Sequence, residues 1–535
     1  RIGIGKIEQG KIAVNKEMMV VNHHDAKKQK KTLKWNGEMY LEFHRGTYTS
    51  VPEIKYNNRK AEFLMHNVEF YSTISKKILN DSYDKDLINK NWKTILLNQF
   101  HDIIPGSSIE KVYEDSRNQF NELFKEVGGL NISKMNLIAK NIKGKGLLVF
   151  NTNSFETSGN IKTKNGTIVV KNIPSFGYKI VNEHSEDELK INDFLLENNS
   201  YKIEFNKKGQ VTSFVDITSN RELVKHGEVF NKLVAFEDTP YEYDNWEISP
   251  LYYQKPYELK EDASFRRIKD GDRVGLEITH YYMSSKIIQT FFIYKGLERI
   301  DVENHIEWHE KNQLLKVMFP LNINNDKVRY DIQFGSLECD PHSKDPFESA
   351  KFEHVAHKFV DISEKDYGFA LLNDCKYGHG IVDNILSLTL LKSGSFPFDG
   401  ASEIIPDFVY SFVPHKGAFN KSKVNEIAYV LNNPLKAVEI NNETGILPSK
   451  YSFVKCLTPG VIIETVKKAE ERDEIILRLY ESYKEAKTVE IEFGFDVCNI
   501  DVLDLLENKK ESLKVNNNKV IFEIKPFEIV TLGVK

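Results

Sequence analysis

The chain has 535 residues, 40% hydrophobic and 28% charged, which is too long for one core and too apolar for a disordered polymer, so three or four globular domains are expected. A net charge of -5 excludes the concentrated basic excess of a nucleic-acid-binding surface. No apolar run approaches the length of about 20 residues that crosses a bilayer, so no membrane partner is expected.

In chain order, residues 1–52 have little periodicity before the stretch HRGTYTS. Helical spacing then sets in: Ala61, Leu64, Val68, Tyr71 and Ile74 share one face, and Ile88, Trp92, Ile95, Leu96 and Phe100 share another. After the break Pro105-Gly106-Ser107, Ser108 is the expected N-cap of a third helix whose apolar side is Val112, Phe120 and Leu123. Residues 53–142 therefore read as a three-helix bundle. Beyond Lys143-Gly144-Lys145-Gly146 the chain turns to short β-rich runs separated by Asn, Gly and Lys, with no further long helical stripe. These divide into a small β linker over 143–190, a large β-sandwich over 191–425 and a C-terminal β-domain over 426–535. The fold class is α+β.

Four cysteines, Cys339, Cys375, Cys456 and Cys498, stand far apart with no CxxC spacing, which points to a reducing compartment and a cytoplasmic location. The first residue is Arg1 rather than methionine, so the chain is expected to be processed or to be a piece of something longer.

The residue pair with the most chemistry is His101-Asp102 in LLNQFHDIIPGSS, where an apolar helical stretch runs into two groups that bind metals and titrate. On ideal helix geometry neighbouring side chains diverge by about 100°, so one would hold metal while the other accepts hydrogen bonds from a ligand. A core histidine beside a helix-terminating aspartate reads equally from these two residues alone. His44 and Arg45 in HRGTYTS are candidates for lining a polar pocket; Arg45 would donate to hydroxyls or hold a carboxylate, or else tie down loop carbonyls. Asp244 and Trp246 in YDNWEIS pair an acceptor with an aromatic face, as sugar sites do, although Trp246 would also serve to plug a sandwich edge.

Three stretches, WNGEMYLEFHRGTYTS (35–50), NNRKAEFLMHNVEF (57–70) and LLNQFHDIIPGSS (96–108), resemble in order and spacing the α-mannosidases of glycoside hydrolase family 38, nearest the cytosolic or bacterial branch. The resemblance continues through NKLVAFEDTPYEYDNWEISPLY (231–252), FVDISEKDYGFALLNDCKYGHG (359–380) and FVYSFVPHKGAF (408–419). It implies a bundle followed by a large, multi-part, galactose-mutarotase-like β-sandwich region. It further implies one zinc ion, with His101 as a ligand, and a mannose-containing oligosaccharide as substrate. Asp102, His44, Arg45, Asp244 and Trp246 would then be substrate-binding. The chemistry implied is retaining, with a carboxylate nucleophile and a second carboxyl as acid/base.

The family's α/β barrel-like catalytic domain, which holds those carboxyls and a His-x-Asp metal pair, is expected to precede Trp35 and is missing from the chain. His23-His24-Asp25 has the literal spacing but runs into lysines, and it is not assigned to the metal. The zinc is accordingly expected to be incompletely liganded here, and the chain inactive alone, its partner being a separate N-terminal catalytic domain or further copies of itself. The alternative is a non-catalytic carbohydrate-binding or scaffold β-sandwich protein, or one subunit of a split mannosidase.

Overall fold

The computed structural model describes residues 11–12, 33–34, 42–181, 187–324, 327–341, 350–382 and 384–535, with side chains from His44 onward. It divides into two units, residues 1–42 and 43–535. In the first, Lys11–Ile12 pairs antiparallel with Leu33–Lys34. His23, Asp25 and Trp35 lie outside the described residues.

The second unit opens with the expected bundle: α1 (Pro52–Leu79), α2 (Lys85–Asn98) and α3 (Glu110–Ala139). Pro52 stands at the first helical position, where its missing N–H leaves no helix bond unmade. Asn80 ends α1 in the left-handed region at φ 53°, a conformation asparagine tolerates better than most residues. Ala61, Met65 and Val68 meet Ile88, Ile95, Phe120, Leu123 and Val127 in the bundle core.

Two details differ from the sequence reading. Leu96 and Phe100 are 62% and 51% exposed, because Leu96 is turned one helical step off the Ile88–Ile95 stripe and Phe100 lies past the end of α2. Nor is Ser108 the N-cap of α3: its backbone N–H donates to the Tyr113 hydroxyl at 2.6 Å, and the helix starts two residues later with no side-chain cap.

The β portion is a set of antiparallel sheets. A five-stranded meander over residues 190–222, a six-stranded sheet and a nine-stranded sheet enclose one large core that runs in sequence from Leu196 to Phe412. In the six-stranded sheet Lys232–Glu237, Gln313–Pro320 and Ile385–Lys392 are consecutive neighbours. The C-terminal part stacks a four- and a five-stranded sheet, and its core takes in Phe70, Tyr71 and Ile74 of α1 and Met135 and Ile138 of α3. One end of the bundle is thereby locked into β structure.

The divisions drawn at 190 and 426 are crossed: Gly144–Asn151 lies between Gly177–Val181 and Lys436–Asn442, so the small linker sheet is completed by strands that follow the large sandwich. A nine-residue helix, α4 (Val424–Asn432), was not foreseen; it is too short to show a periodic stripe.

Candidate functional site

The other end of the bundle, where α1 begins and α2 ends, carries the pair from LLNQFHDIIPGSS. Helix α2 stops at Asn98, and His101 and Asp102 lie on the turn beyond it. Freed from helical geometry, their side chains converge, with His101 Nε2 at 3.5 Å from Asp102 Oδ2. Both face solvent, at 78% and 58% exposure, so neither the core-histidine reading nor the diverging pair holds. Phe100 lies against the imidazole at 4.3 Å between ring centroids.

Beneath the pair everything is tied down. Asn98 is buried and donates to the Thr94 carbonyl and to Gln119, while Gln99 donates to Asn58 and Glu62 at 3.0 and 2.7 Å. The Phe100 carbonyl accepts from the N–H groups of Ile103 and Ile104, at 2.8 and 3.2 Å. Ile103 and Ile104 then pack on Val51, Ile54, Tyr113, Phe398 and Ala401.

The HRGTYTS loop is the buttress of this turn. Gly106, at φ +86°, touches Ser50 so closely that an added Cβ would stand 2.5 Å from the Ser50 carbonyl oxygen. Lys55 reaches from the first turn of α1 to bridge the two segments, donating to the carbonyls of Ser50 (2.5 Å) and Ile104 (2.8 Å). Burial, with the nearby Lys376 ammonium adding to it, lowers the Lys55 pKa to about 7.

On its far side the same loop joins the YDNWEIS segment. The Gly46 N–H donates to the Trp246 carbonyl at 2.8 Å, and Ser50 Oγ donates to the Asn245 carbonyl at 2.7 Å. Arg45 is fully engaged: Nε and Nη2 donate to the Ala350 carbonyl at 3.0 and 2.7 Å, Nη1 pairs with Glu247 at 3.1 Å, and the guanidinium lies 4.4 Å from the Phe352 centroid. Burial raises the Glu247 carboxyl and Arg45 pulls it back. Two buried ion pairs, Lys392–Asp238 and Lys316–Glu353, belong to the same platform: Lys392 Cε stands 2.7 Å from a Cβ built on Gly46, and Glu353 and Thr49 both face Gly378.

Of the residues singled out in the sequence, then, Arg45 has the loop-tying role, with no donor left for a ligand hydroxyl in this arrangement. Asp244 also works inside the protein. Its Oδ2 accepts from Asn312 and from the Ser395 N–H and hydroxyl at 2.8–3.0 Å, and its Oδ1 accepts from the Phe396 N–H at 2.7 Å. His44 is half-buried, its Nδ1 is buried without a hydrogen-bond partner, and burial lowers its pKa. Trp246 is half-buried and meets Tyr243 edge-on at 5.3 Å; Tyr243 also faces Phe396 at 5.7 Å, which makes a partly exposed aromatic cluster.

Sequence reading missed Lys55, Glu247 and the two ion pairs. Only Lys55 carried a local signal: it lies four residues after Val51 and four before Arg59, on the buried face of α1.

For a zinc ion, the donor types at the tip are suitable and their number is not. One imidazole and one carboxylate fall short of the three or four protein ligands such sites use, and among the described residues no group of three or more His, Cys, Asp and Glu could hold a metal.

A helical bundle docked on stacked antiparallel sandwiches, with a His-Asp tip, is the architecture of a glycosidase's non-barrel part. The match to known families is direct: residues 42–138 match the alpha mannosidase middle domain, 196–399 the glycosyl hydrolases family 38 C-terminal domain, and 460–532 the family 38 C-terminal beta sandwich domain. The chain belongs to glycoside hydrolase family 38, of which it carries the middle and C-terminal domains.

It is similar to alpha-mannosidase 2C1 of Homo sapiens, with 30% identity over 532 residues, taking in 93% of this chain and 50% of the human protein. It is likewise similar to alpha-mannosidase G of Dictyostelium discoideum, at 28% identity over 93% of this chain and 52% of that one. The chain thus spans about half the length of these curated relatives. The crystal structure of an alpha-mannosidase from Enterococcus faecalis V583 shares the fold, with a TM-score of 0.80 at 14% identity over 97% of this chain and 72% of that one.

Proposed function

We propose that the chain forms the middle and C-terminal part of a zinc-dependent, retaining α-mannosidase that releases terminal α-linked mannose from oligosaccharides. The observation that carries this reading is the His101-Asp102 pair, presented to solvent on a turn whose every neighbour is fastened to the HRGTYTS loop. Relatives named alpha-mannosidases over nearly the whole chain support it.

In this reading His101 gives one nitrogen to the zinc, and the remaining ligands come from residues outside those described. Bound there, zinc would hold neighbouring sugar hydroxyls and offset charge that develops during cleavage. Asp102 carries acceptors only when ionised and takes hydrogen bonds from the same hydroxyls. A retaining enzyme sets its nucleophile and acid/base carboxyls about 5 Å apart. We place both on polypeptide beyond this chain, in the same protein or in a separate subunit, so that the chain alone does not turn over. Four unpaired cysteines and the cysteine spacing support a cytoplasmic setting.

The test is zinc content together with hydrolysis of an aryl α-mannoside. The chain as given should show no turnover, and zinc-dependent hydrolysis by it alone would overturn the division of the site. In the complete enzyme His101→Ala should remove zinc and activity together, and retained activity would refute the ligand assignment. Asp102→Asn should weaken substrate binding more than zinc binding; equal losses would refute their separate roles.

A further inference from the structure

Away from the bundle tip, the chain encloses a cavity of about 170 Å³ between the first turn of α4, the segment Cys456–Ile462 and the Ser482–Tyr483 turn. It shares no lining residue with the tip. Phe155 and Tyr483 are half-buried aromatics on its wall, and Glu426 and Cys456 also line it.

Most polar groups around the cavity are spent on the protein itself. Ser482 Oγ donates to the Gly460 carbonyl and accepts from Asn425 Nδ2, while Thr458 Oγ1 donates to the Thr488 carbonyl. Lys487 pairs with Glu481 and Glu485 and leans over the Tyr483 ring at 4.5 Å. The exception is Glu426. Its Oε2 is buried with no hydrogen-bond partner, which costs a folded protein about 1–3 kcal/mol and calls for an explanation.

We propose that this cavity is a second binding site, for a neutral hydroxylated ring of monosaccharide size, with Glu426 as its polar anchor. Size sets the first limit: a cavity of about 150 Å³ admits one six-membered carbon ring, so this one takes a single ring and little more. Chemistry sets the second. Flat aromatic faces suit the C–H face of a pyranose, and a lone carboxyl exchanges hydrogen bonds with ring hydroxyls. Burial raises the Glu426 pKa, which favours a hydroxyl over a cationic partner. The position of the cavity, where the linker sheet, α4 and the C-terminal sandwich meet, means that a bound ring would brace three parts of the fold at once.

Saturation-transfer NMR on the whole chain with methyl α-D-mannopyranoside, methyl α-D-glucopyranoside and glucosamine tests this. Transfer is expected to the neutral glycosides, and Glu426→Ala should weaken it about tenfold, the loss of one buried hydrogen bond to a carboxyl. Because that variant removes a group from the first turn of α4, a second measurement uses the unmutated protein. Cys456 lines the cavity, and its iodoacetamide labelling, followed by peptide mass spectrometry, should slow about threefold at a glycoside concentration of twice Kd, with the exposed Cys498 unaffected.

Transfer that survives Glu426→Ala but disappears in His101→Ala would place the sugar at the bundle tip and overturn the proposal while leaving the mannosidase reading intact. Absence of both transfer and protection would overturn it too, as would binding of glucosamine alone.

Discussion

Gly106 is the point at which the His101-Asp102 turn is fixed, and Gly106→Ala tests that directly. Two costs add. At φ +86° a residue with a Cβ sits in the left-handed region, a penalty of about 1–2 kcal/mol. The new methyl would also stand 2.5, 2.7 and 2.8 Å from the Ser50 carbonyl oxygen, carbonyl carbon and Cβ, where ordinary contact begins at 3.4 Å. Ser50 has no room to retreat: its N–H donates to the Gly46 carbonyl, its hydroxyl to the Asn245 carbonyl, and its own carbonyl accepts from Lys55. Overpacking of this kind costs about 1–3 kcal/mol.

Even about 2 kcal/mol raises local opening about thirtyfold, so amide exchange should accelerate by that factor or more in peptides covering 44–51 and 99–109. The C-terminal sandwich should exchange as before. Gly128→Ala and Gly129→Ala are the controls. Both glycines are interior to α3, their added methyls meet nothing within 4 Å, and each substitution should stabilise by about 0.5–1 kcal/mol. If Gly106→Ala leaves exchange in the two segments unchanged, the turn is not held by Ser50, and the account of how the pair is positioned fails.

Two further outcomes follow from the buried charges around the tip. Lys55 has a folded-state pKa of about 7 and an ordinary one when unfolded; above pH 7 the folded state gives up its proton while the unfolded chain keeps it. Stability should therefore rise by about 1.4 kcal/mol per pH unit from pH 7 towards 10 and be flat below, and urea denaturation of Lys55→Met should lack that slope. A pH-independent difference between the two proteins would refute it. Breaking the pair Lys316–Glu353 with Lys316→Met should cost about 3–5 kcal/mol, because Glu353 is left charged and buried, and adding Glu353→Leu should recover most of that loss. A double variant no more stable than the single one would show that Glu353 is held by its other partners.

The bundle was legible because its period is local: Ala61, Val68, Tyr71 and Ile74 mark α1 with no knowledge of what they touch, and all four are buried. His101 and Asp102 were legible as chemistry but not as geometry. Residues that follow an apolar stripe read as more helix, and only the Phe100 carbonyl, by accepting from both Ile103 and Ile104, turns the chain so that the two side chains converge. The failure at Asp244 is of another kind. A carboxylate beside an aromatic residue looks the same in sequence whether it faces a sugar or four donors from residues 312, 395 and 396. The linker sheet was out of reach for a related reason: the partner of Gly144–Asn151 lies almost three hundred residues on, at Lys436–Asn442, and nothing in either strand names the other.

Exposure of the pair and rigidity beneath it belong together. A side chain that must meet groups from elsewhere has to stay open, and an open side chain keeps its position only if the backbone under it cannot move. Here the restraint is built in layers: Lys392 and Asp238 lie under Gly46, the loop from Gly46 to Ser50 grips Asn245 and Trp246, and Ser50 with Lys55 grips Ile104 and Gly106. Val51, which joins that loop to α1, sits at φ 51° although it is β-branched, a strain of about 1–3 kcal/mol. That conformation is held because its side chain is buried with Ile54, Tyr113 and Ala401 while Ser50 before it is bonded on three sides. A sequence selected only for a stable helix start would relax this position. Its retention beside the one exposed imidazole–carboxylate pair at this end of the bundle is what a site awaiting the rest of its ligands requires.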